Sequence, residues 1–208
     1  MRGVNRLALA VCALGIAIAC EAQAQAPEVS PPKPYVQRDV CPFECCTYGT
    51  WIPRRPLRVF ALERDTTHVA FTLARGDSFT AVTGNVHVLR LGEARVLKAF
   101  RLLGTDRATG SERSIPLARG DRIVIVDYYS EGGVQIWCRD QMLDVDDEDW
   151  LAPSYGGGAS TDTRARLVHA LVSEWWVHVH ARDGRDGWLR MSEDPDEPLE
   201  VDGADLCG

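Results

Sequence analysis

Leu73-Ala74-Arg75-Gly76-Asp77 returns, residue for residue, as Leu117-Ala118-Arg119-Gly120-Asp121. Each copy leads into an apolar, β-branched stretch, 78–82 and 122–126. An identical repeat of this kind predicts two copies of one supersecondary unit. The residue types suit a turn that feeds a strand. Glycine takes the positive φ of a tight turn without a Cβ clash, and aspartate hydrogen-bonds nearby backbone as the chain enters the strand. The same five residues contain Arg-Gly-Asp, a cell-adhesion tripeptide. The turn accounts for the glycine and aspartate without that activity.

Short apolar runs flank both copies, at 58–62, 68–73, 78–83, 86–91, 94–100, 122–128, 134–138, 175–181 and 187–191. Several alternate with period two: Trp176, His178 and His180 fall on one face and Trp175, Val177 and Val179 on the other. Turn signals separate the runs at Thr83-Gly84-Asn85, Glu131-Gly132-Gly133 and Asp183-Gly184. Many short strands with this punctuation predict a mainly β chain, a small barrel or sandwich. One helix is expected, over 163–174, where Leu167, Leu171 and Trp175 stand at helical spacing.

The N-terminus reads as an export signal. Arg2 and Arg6 form a basic start, 7–19 is an apolar run, and Ala22-Gln23-Ala24 gives the small-x-small cleavage pattern. The run is shorter than the roughly 20 residues that span a bilayer, and no other segment reaches that length, so no transmembrane segment is expected. Signal cleavage is expected after Ala24, and the mature chain is placed in the periplasm or outside the cell. Ala17-Ile18-Ala19-Cys20 also resembles the site at which bacterial lipoproteins are cut and lipidated, which makes a lipid anchor at Cys20 the alternative. Residues 25–40, with Pro27, Pro31, Pro32 and Pro34, read as an extended linker.

Composition narrows the partners. A net charge of -7 argues against nucleic acid, which is bound through a basic patch that releases counterions. It also argues against docking on anionic lipid. Of seven cysteines, Cys12 and Cys20 fall in the signal. Cys41, Cys45, Cys46, Cys138 and Cys207 remain and, in an exported chain, are disulfide candidates. Their odd number leaves one thiol over. The close trio lacks a Cys-x-x-Cys and a neighbouring histidine, so zinc is not expected.

Catalytic constellations are thin. His178 and His180 share a strand face as metal ligands can, with His169, His87 or an acid as a third candidate, but a solvent-facing strand explains them equally. Asp144, Asp146, Asp147, Glu148 and Asp149 form an acidic run. Counted from Asp144, it lacks the glycine and glutamate of a calcium loop and reads as solvated. Cys138 with His169 or His178 is the one nucleophile–base pair to consider. Gly-x-Ser-x-Gly and His-Glu-x-x-His are absent. No catalytic residue, metal ligand or cofactor is expected.

These residues resemble the bacterial SH3-like domain family. In that family a strand ends in Leu-x-x-Gly-Asp, an apolar strand follows, a later strand reads Trp-x-x-Val, and a hairpin leads to Gly-Trp-Val/Leu. Leu117 to Val126, Trp176-Val177-His178-Val179 and Gly187-Trp188-Leu189 match that pattern. The earlier copy, 59–82, carries neither tryptophan motif. The resemblance implies tandem small β-barrels: a diverged first unit over 41–104, and a second over 105–208 with an insertion at 141–173. It also implies a non-catalytic module that binds cell-wall peptide or another envelope peptide or protein. Some of the aromatics Trp51, Tyr128, Tyr129, Trp137, Trp150, Trp175, Trp176 and Trp188 must form the core of so small a barrel. Trp176 and Trp188 are expected there, while Tyr128, Tyr129 and Trp175 are the candidates for lining a peptide groove. Two alternatives stand beside this: a degenerate hydrolase using Cys138, and a structural partner subunit with no small ligand.

Overall fold

The computed structural model describes residues 31, 35–43, 45–129, 133–146, 150–152, 163–191 and 200–204. The signal with Cys20, most of the proline-rich stretch, Cys207 and the acids Asp147, Glu148 and Asp149 lie outside the described residues. All regular structure among the described residues is β. In chain order the strands are β1 (Val36–Gln37), β2 (Gly49–Pro53), β3 (Leu57–Phe60), β4 (Val69–Leu73), β5 (Phe79–Arg90), β6 (Gly92–Val96), β7 (Phe100–Asp106) and β8 (Glu112–Leu117). They continue with β9 (Arg122–Tyr129), β10 (Gly133–Cys138), β11 (Gln141–Val145), β12 (Leu151–Ala152), β13 (Ala165–His169), β14 (Val172–Ala181), β15 (Asp186–Met191) and β16 (Val201–Asp202).

The strands form two sheets with one strand order used twice. The first runs β16-β2-β5-β14-β15-β3-β4, with β1 added against β5. The second runs β13-β6-β9-β10-β11-β7-β8, with β12 added in parallel against β13. Replacing β2, β3, β4 and β5 by β6, β7, β8 and β9, and β14, β15 and β16 by β10, β11 and β13, converts the first path into the second. The second sheet, 92–169, therefore enters the chain between β5 and β14 of the first. At the junction Arg90 pairs with Val172 and Glu93 with His169, so two antiparallel ladders follow one another along the same two stretches of chain.

The repeated pentapeptide makes the same turn in each sheet. Asp77 N–H donates to Ala74 O at 3.1 Å, and Asp121 N–H to Ala118 O at 3.1 Å. The carboxylates reach back in the same way, accepting from Ala74 N–H and Ala118 N–H at 2.9 Å in both. Gly76 and Gly120 sit at φ of 84° and 91°, a region that L side chains rarely enter. Their amides close each unit onto its own first strand, Gly76 to Pro53 O at 3.0 Å and Gly120 to Val96 O at 2.9 Å.

Each sheet curls around its own core. Trp51, Val59, Leu73, Phe79, Trp175, Val177 and Leu189 fill the first. Val96, Leu102, Leu117, Ile123, Ile125, Ile136 and Leu143 fill the second. Leu73 and Leu117, the leading residues of the two pentapeptides, are both buried. Val40, Cys41, Phe43, Cys46 and Tyr48 pack over the first core, where Phe43 meets Trp175 edge-on at 5.8 Å.

Several expectations meet a different arrangement. The stretch 163–174 is not helical: β13 and β14 occupy it, because Ala165 and Leu167 pair with β6 while Val172 onward pairs with β5. Tertiary pairing overrides the helical spacing there, and β-branched Val168 and Val172 favour the extended form. Thr83-Gly84-Asn85 is not a turn but the middle of β5. A Cβ on Gly84 would lie 2.4 Å from Trp175 Nε1 and 2.5 Å from the Tyr48 hydroxyl, so the glycine serves close approach. Within the stretch expected as a linker, Val36 and Gln37 pair with His87 and Val86. The Trp176 and Gly187-Trp188 strands, β14 and β15, join the sheet of the first pentapeptide, and the second sheet takes its equivalent strands from β10 and β11.

Two outcomes follow. Asp77→Ala and Asp121→Ala each lower unfolding stability by about 1 kcal/mol through loss of the reach-back hydrogen bond, read by urea titration. Replacing 91–171 by Asn-Gly joins Arg90 to Val172 through a two-residue hairpin. The shortened chain keeps the near-ultraviolet dichroism of the Trp51–Trp175 core, and a flat spectrum would show that the first sheet depends on the second.

Candidate ligand-binding groove

The aromatics expected to line a groove do not meet. Trp175 is 1% exposed, in the first core between Trp51 and Phe43. Tyr128 is half-buried against the second core, on β9. Tyr129 follows it at the end of that strand, and nothing is described of its side chain. Trp176 is fully buried on the opposite face of β14 from Trp175, under Phe60 at 5.7 Å, and Trp188 is half-buried beside His178.

Among the described residues the histidines and acids do not converge on one point. His178 and His180 rings stand 5.0 Å apart, with His178 Nε2 3.4 Å from Asp186. Among the described residues no group of three His, Cys, Asp or Glu could hold an ion. His87 lies buried in a separate polar cluster, where Glu63 Oε1 accepts from Asn85 Nδ2 at 2.7 Å and from His87 Nε2 at 2.6 Å. This cluster pins the turn after β3 to β5. Asp144 accepts from Gln135 Nε2 at 2.7 Å, which makes it a structural acceptor inside the second sheet.

The cysteines divide. Cys41 and Cys46 form a disulfide, closing the loop that lies over the first core. Cys45 is also disulfide-bonded, to a partner outside Cys41, Cys46 and the free Cys138. Cys138 is 3% exposed in the second core, and burial pushes its thiol pKa up. A nucleophilic cysteine needs the opposite shift, toward thiolate. Its candidate bases lie elsewhere: His169 is exposed on β13, and His178 belongs to the first sheet. Burial also pushes Tyr48 up to about 12; its hydroxyl donates to Val40 O beneath the disulfide loop.

An open groove lies along β7 in the second sheet. β11 pairs with β7 only at Leu143–Asp106 and Asp144–Thr105. Gly104 brings the backbones close there: a Cβ would lie 2.9 Å from Asp144 O and 3.0 Å from the Val145 side chain. On its other edge β7 pairs with β8 from Phe100 to Thr105. Among the described residues no strand is paired with the opposite edge of Phe100 to Leu103. The space measures about 470 Å³ and is bounded by these residues, Glu112 and Arg113 of β8, Val145, Asp146, Trp150 and Arg164. That volume is within the usual range for ligand sites. At one end Phe100 and Trp150 stack at 6.0 Å, and the Arg164 guanidinium lies 5.5 Å from the Phe100 ring centroid. Leu103 is 67% exposed.

The charges along the groove are ordered. Arg101 bonds to Ser114, through Nε to Oγ at 2.9 Å and the guanidinium to its carbonyl at 3.3 Å. Arg113 is taken by Asp106 at 3.4 Å. Among the described residues Glu112, opposite Thr105, has no ion-pair partner. Nothing in the local sequence marks these residues as a group, because they come from β7, β8 and separate stretches around Val145, Trp150 and Arg164. The one sequence sign is a glycine, Gly104, inside a strand.

No family model matches the chain, and no curated protein matches it. Among solved structures, NlpC2 from Trichomonas vaginalis is similar over 49% of this chain and 47% of its own length, at 9% identity and a TM-score of 0.24. The chain thus spans about half the length of that protein.

The state of Cys138 is open to measurement. In the native protein Cys138 resists Ellman's reagent and becomes reactive only on denaturation, giving one thiol per chain among Cys41, Cys45, Cys46 and Cys138. Rapid native labelling of Cys138 would contradict its burial.

Proposed function

We propose that the chain is an exported, non-catalytic protein of two SH3-like units, one nested in the other, that binds or scaffolds a cell-wall or peptide component of the bacterial envelope. The observation that carries this proposal is the single strand order used twice, each time closed by the same Leu-Ala-Arg-Gly-Asp turn. Trp176-Val177-His178-Val179 and Gly187-Trp188-Leu189 fall on paired neighbouring strands, with His178 opposite Trp188, as the family pattern requires. The Cys41–Cys46 disulfide suits an oxidising compartment, which agrees with an export signal at 1–24. Burial of Cys138 removes support from the hydrolase alternative, and the groove along β7 favours a binding role over a purely structural subunit.

The test uses the full chain expressed in a Gram-negative host and recovered by osmotic shock. The expected product begins at Gln25 and co-sediments with purified peptidoglycan sacculi, which it leaves uncleaved. Release of soluble muropeptides would establish an enzyme. A chain left wholly in the supernatant would favour the structural-subunit alternative, and retention in the cytoplasm would overturn export.

A further inference from the structure

The N-terminal loop and the C-terminal strand meet beside the first core. Thr47 N–H donates to Ala204 O at 2.9 Å. Thr47 O in turn accepts from Nε1 of the fully buried Trp51 at 3.0 Å. β16 lies beside β2, with Val201 opposite Pro53 and Asp202 opposite Ile52, and Arg54 N–H donates to Glu200 O at 2.8 Å. Val201 and Ala204 belong to the first core. So short a segment has limited packing of its own. β16 is two residues long, and its Arg54–Asp202 pair is solvent-exposed, where an ion pair contributes little. Ordering each residue costs backbone entropy that two small buried side chains offset only in part. A covalent tie lowers that cost by confining the open chain.

The cysteines supply one. Cys45 is disulfide-bonded, Cys41 and Cys46 are bonded to each other, and Cys138 is a free thiol. The cysteines left in the sequence are Cys12, Cys20 and Cys207. Cys12 and Cys20 fall in the expected export signal. Cys207 follows Ala204 by three residues, and Cys45 precedes Thr47 by two. With a reach of up to about 3.5 Å per residue, these stretches suffice to bring two Cα atoms within the roughly 4.4–6.8 Å of a disulfide. Cys45 also sits at φ 59°. A residue with a side chain keeps such a backbone where its surroundings over-determine it, as bridges from both Cys45 and Cys46 do.

We infer that Cys45 is bridged to Cys207, and that this bond, beside Cys41–Cys46, is a redox clasp that fastens β16 to β2 over the first core. It forms when the two thiols each give up a proton and an electron to a disulfide oxidant such as glutathione disulfide, which leaves as two thiols. Reduction frees β16 and uncovers the outer edge of β2. The cysteine of the second sheet is the unbonded Cys138, so redox state acts on the first unit and spares the second.

The test folds the purified full chain in a glutathione redox buffer, so that its result does not depend on export, and digests it with trypsin without reduction. Cleavage at Arg38, Arg54 and Arg190 places Cys41, Cys45 and Cys46 on peptide 39–54 and Cys207 on peptide 191–208. Mass spectrometry is expected to find these two peptides joined in the parent and separate in Cys45→Ser. Cys45→Ser and Cys207→Ser each lower the thermal midpoint by about 10 °C. The double variant loses no more than either single, because all three remove one bond. Amide exchange at Thr47 and Arg54 rises about tenfold in Cys207→Ser and stays unchanged across β9 and β10. Peptide 191–208 with a free thiol would overturn the assignment. So would its attachment to peptide 7–38, to peptide 123–139, or to a second chain in a disulfide-linked dimer. A double variant that sums the two single losses, or exchange that rises equally in both sheets, would overturn the clasp.

Discussion

The antiparallel ladder between β5 and β14 is the constraint on which the first sheet depends. Its strands are separated by the whole of 91–171, yet they pair from Phe79–Ala181 to Arg90–Val172. Closing an unstructured loop of that length would cost about 3 kcal/mol more than closing a two-residue hairpin, since the entropy grows as the logarithm of loop length. The second sheet offsets this cost. Its own β6–β13 pairing holds Glu93 beside His169 and delivers the two chain ends to β5 and β14 already side by side. One unit can therefore sit inside another without leaving either core open.

Close packing along that ladder and on the neighbouring β15 explains which small residues stand there. Gly84 sits where Trp175 and the Tyr48 hydroxyl converge, and Gly187 where a Cβ would lie 2.6 Å from Phe60 O. The disulfide loop from Cys41 to Cys46 is then laid over Trp175 through Phe43. What had the character of a spacer and a turn becomes part of the packing around the first core. The polar cluster of Glu63, Asn85 and His87 does similar work on the outer face, fixing the turn after β3 against β5.

The second sheet follows the same plan with a different surface. Its β11 is paired with β7 at Leu143 and Asp144, and the groove lies along β7 next to that pairing. The residues around it come from β7, β8 and the stretches near Val145, Trp150 and Arg164, distant in sequence and unremarkable one by one. The aromatics that stand out in the sequence behave differently. Trp175 and Trp176 lie on opposite faces of one strand and both are buried, each beneath its own cover.

The sequence by itself determined the local chemistry. The Leu-Ala-Arg-Gly-Asp repeat announced two equivalent turns, because positive φ and an aspartate reaching backbone amides are properties of adjacent residues. Period-two runs announced most strands, and alternation put Trp175, Val177 and Val179 on one face, where they enter one core. Only the tertiary structure decided which strands pair, since hydrogen-bonding edges carry no label of their partner. It placed the Trp176 and Trp188 strands with the first copy of the repeat rather than the second. It extended 165–169 and 172–174 against helical spacing, because ladder pairing on both sides outweighs intrinsic preference. It also assembled the groove, whose lining comes from β7, β8 and the stretches around Val145, Trp150 and Arg164, a relation between elements that no single segment encodes.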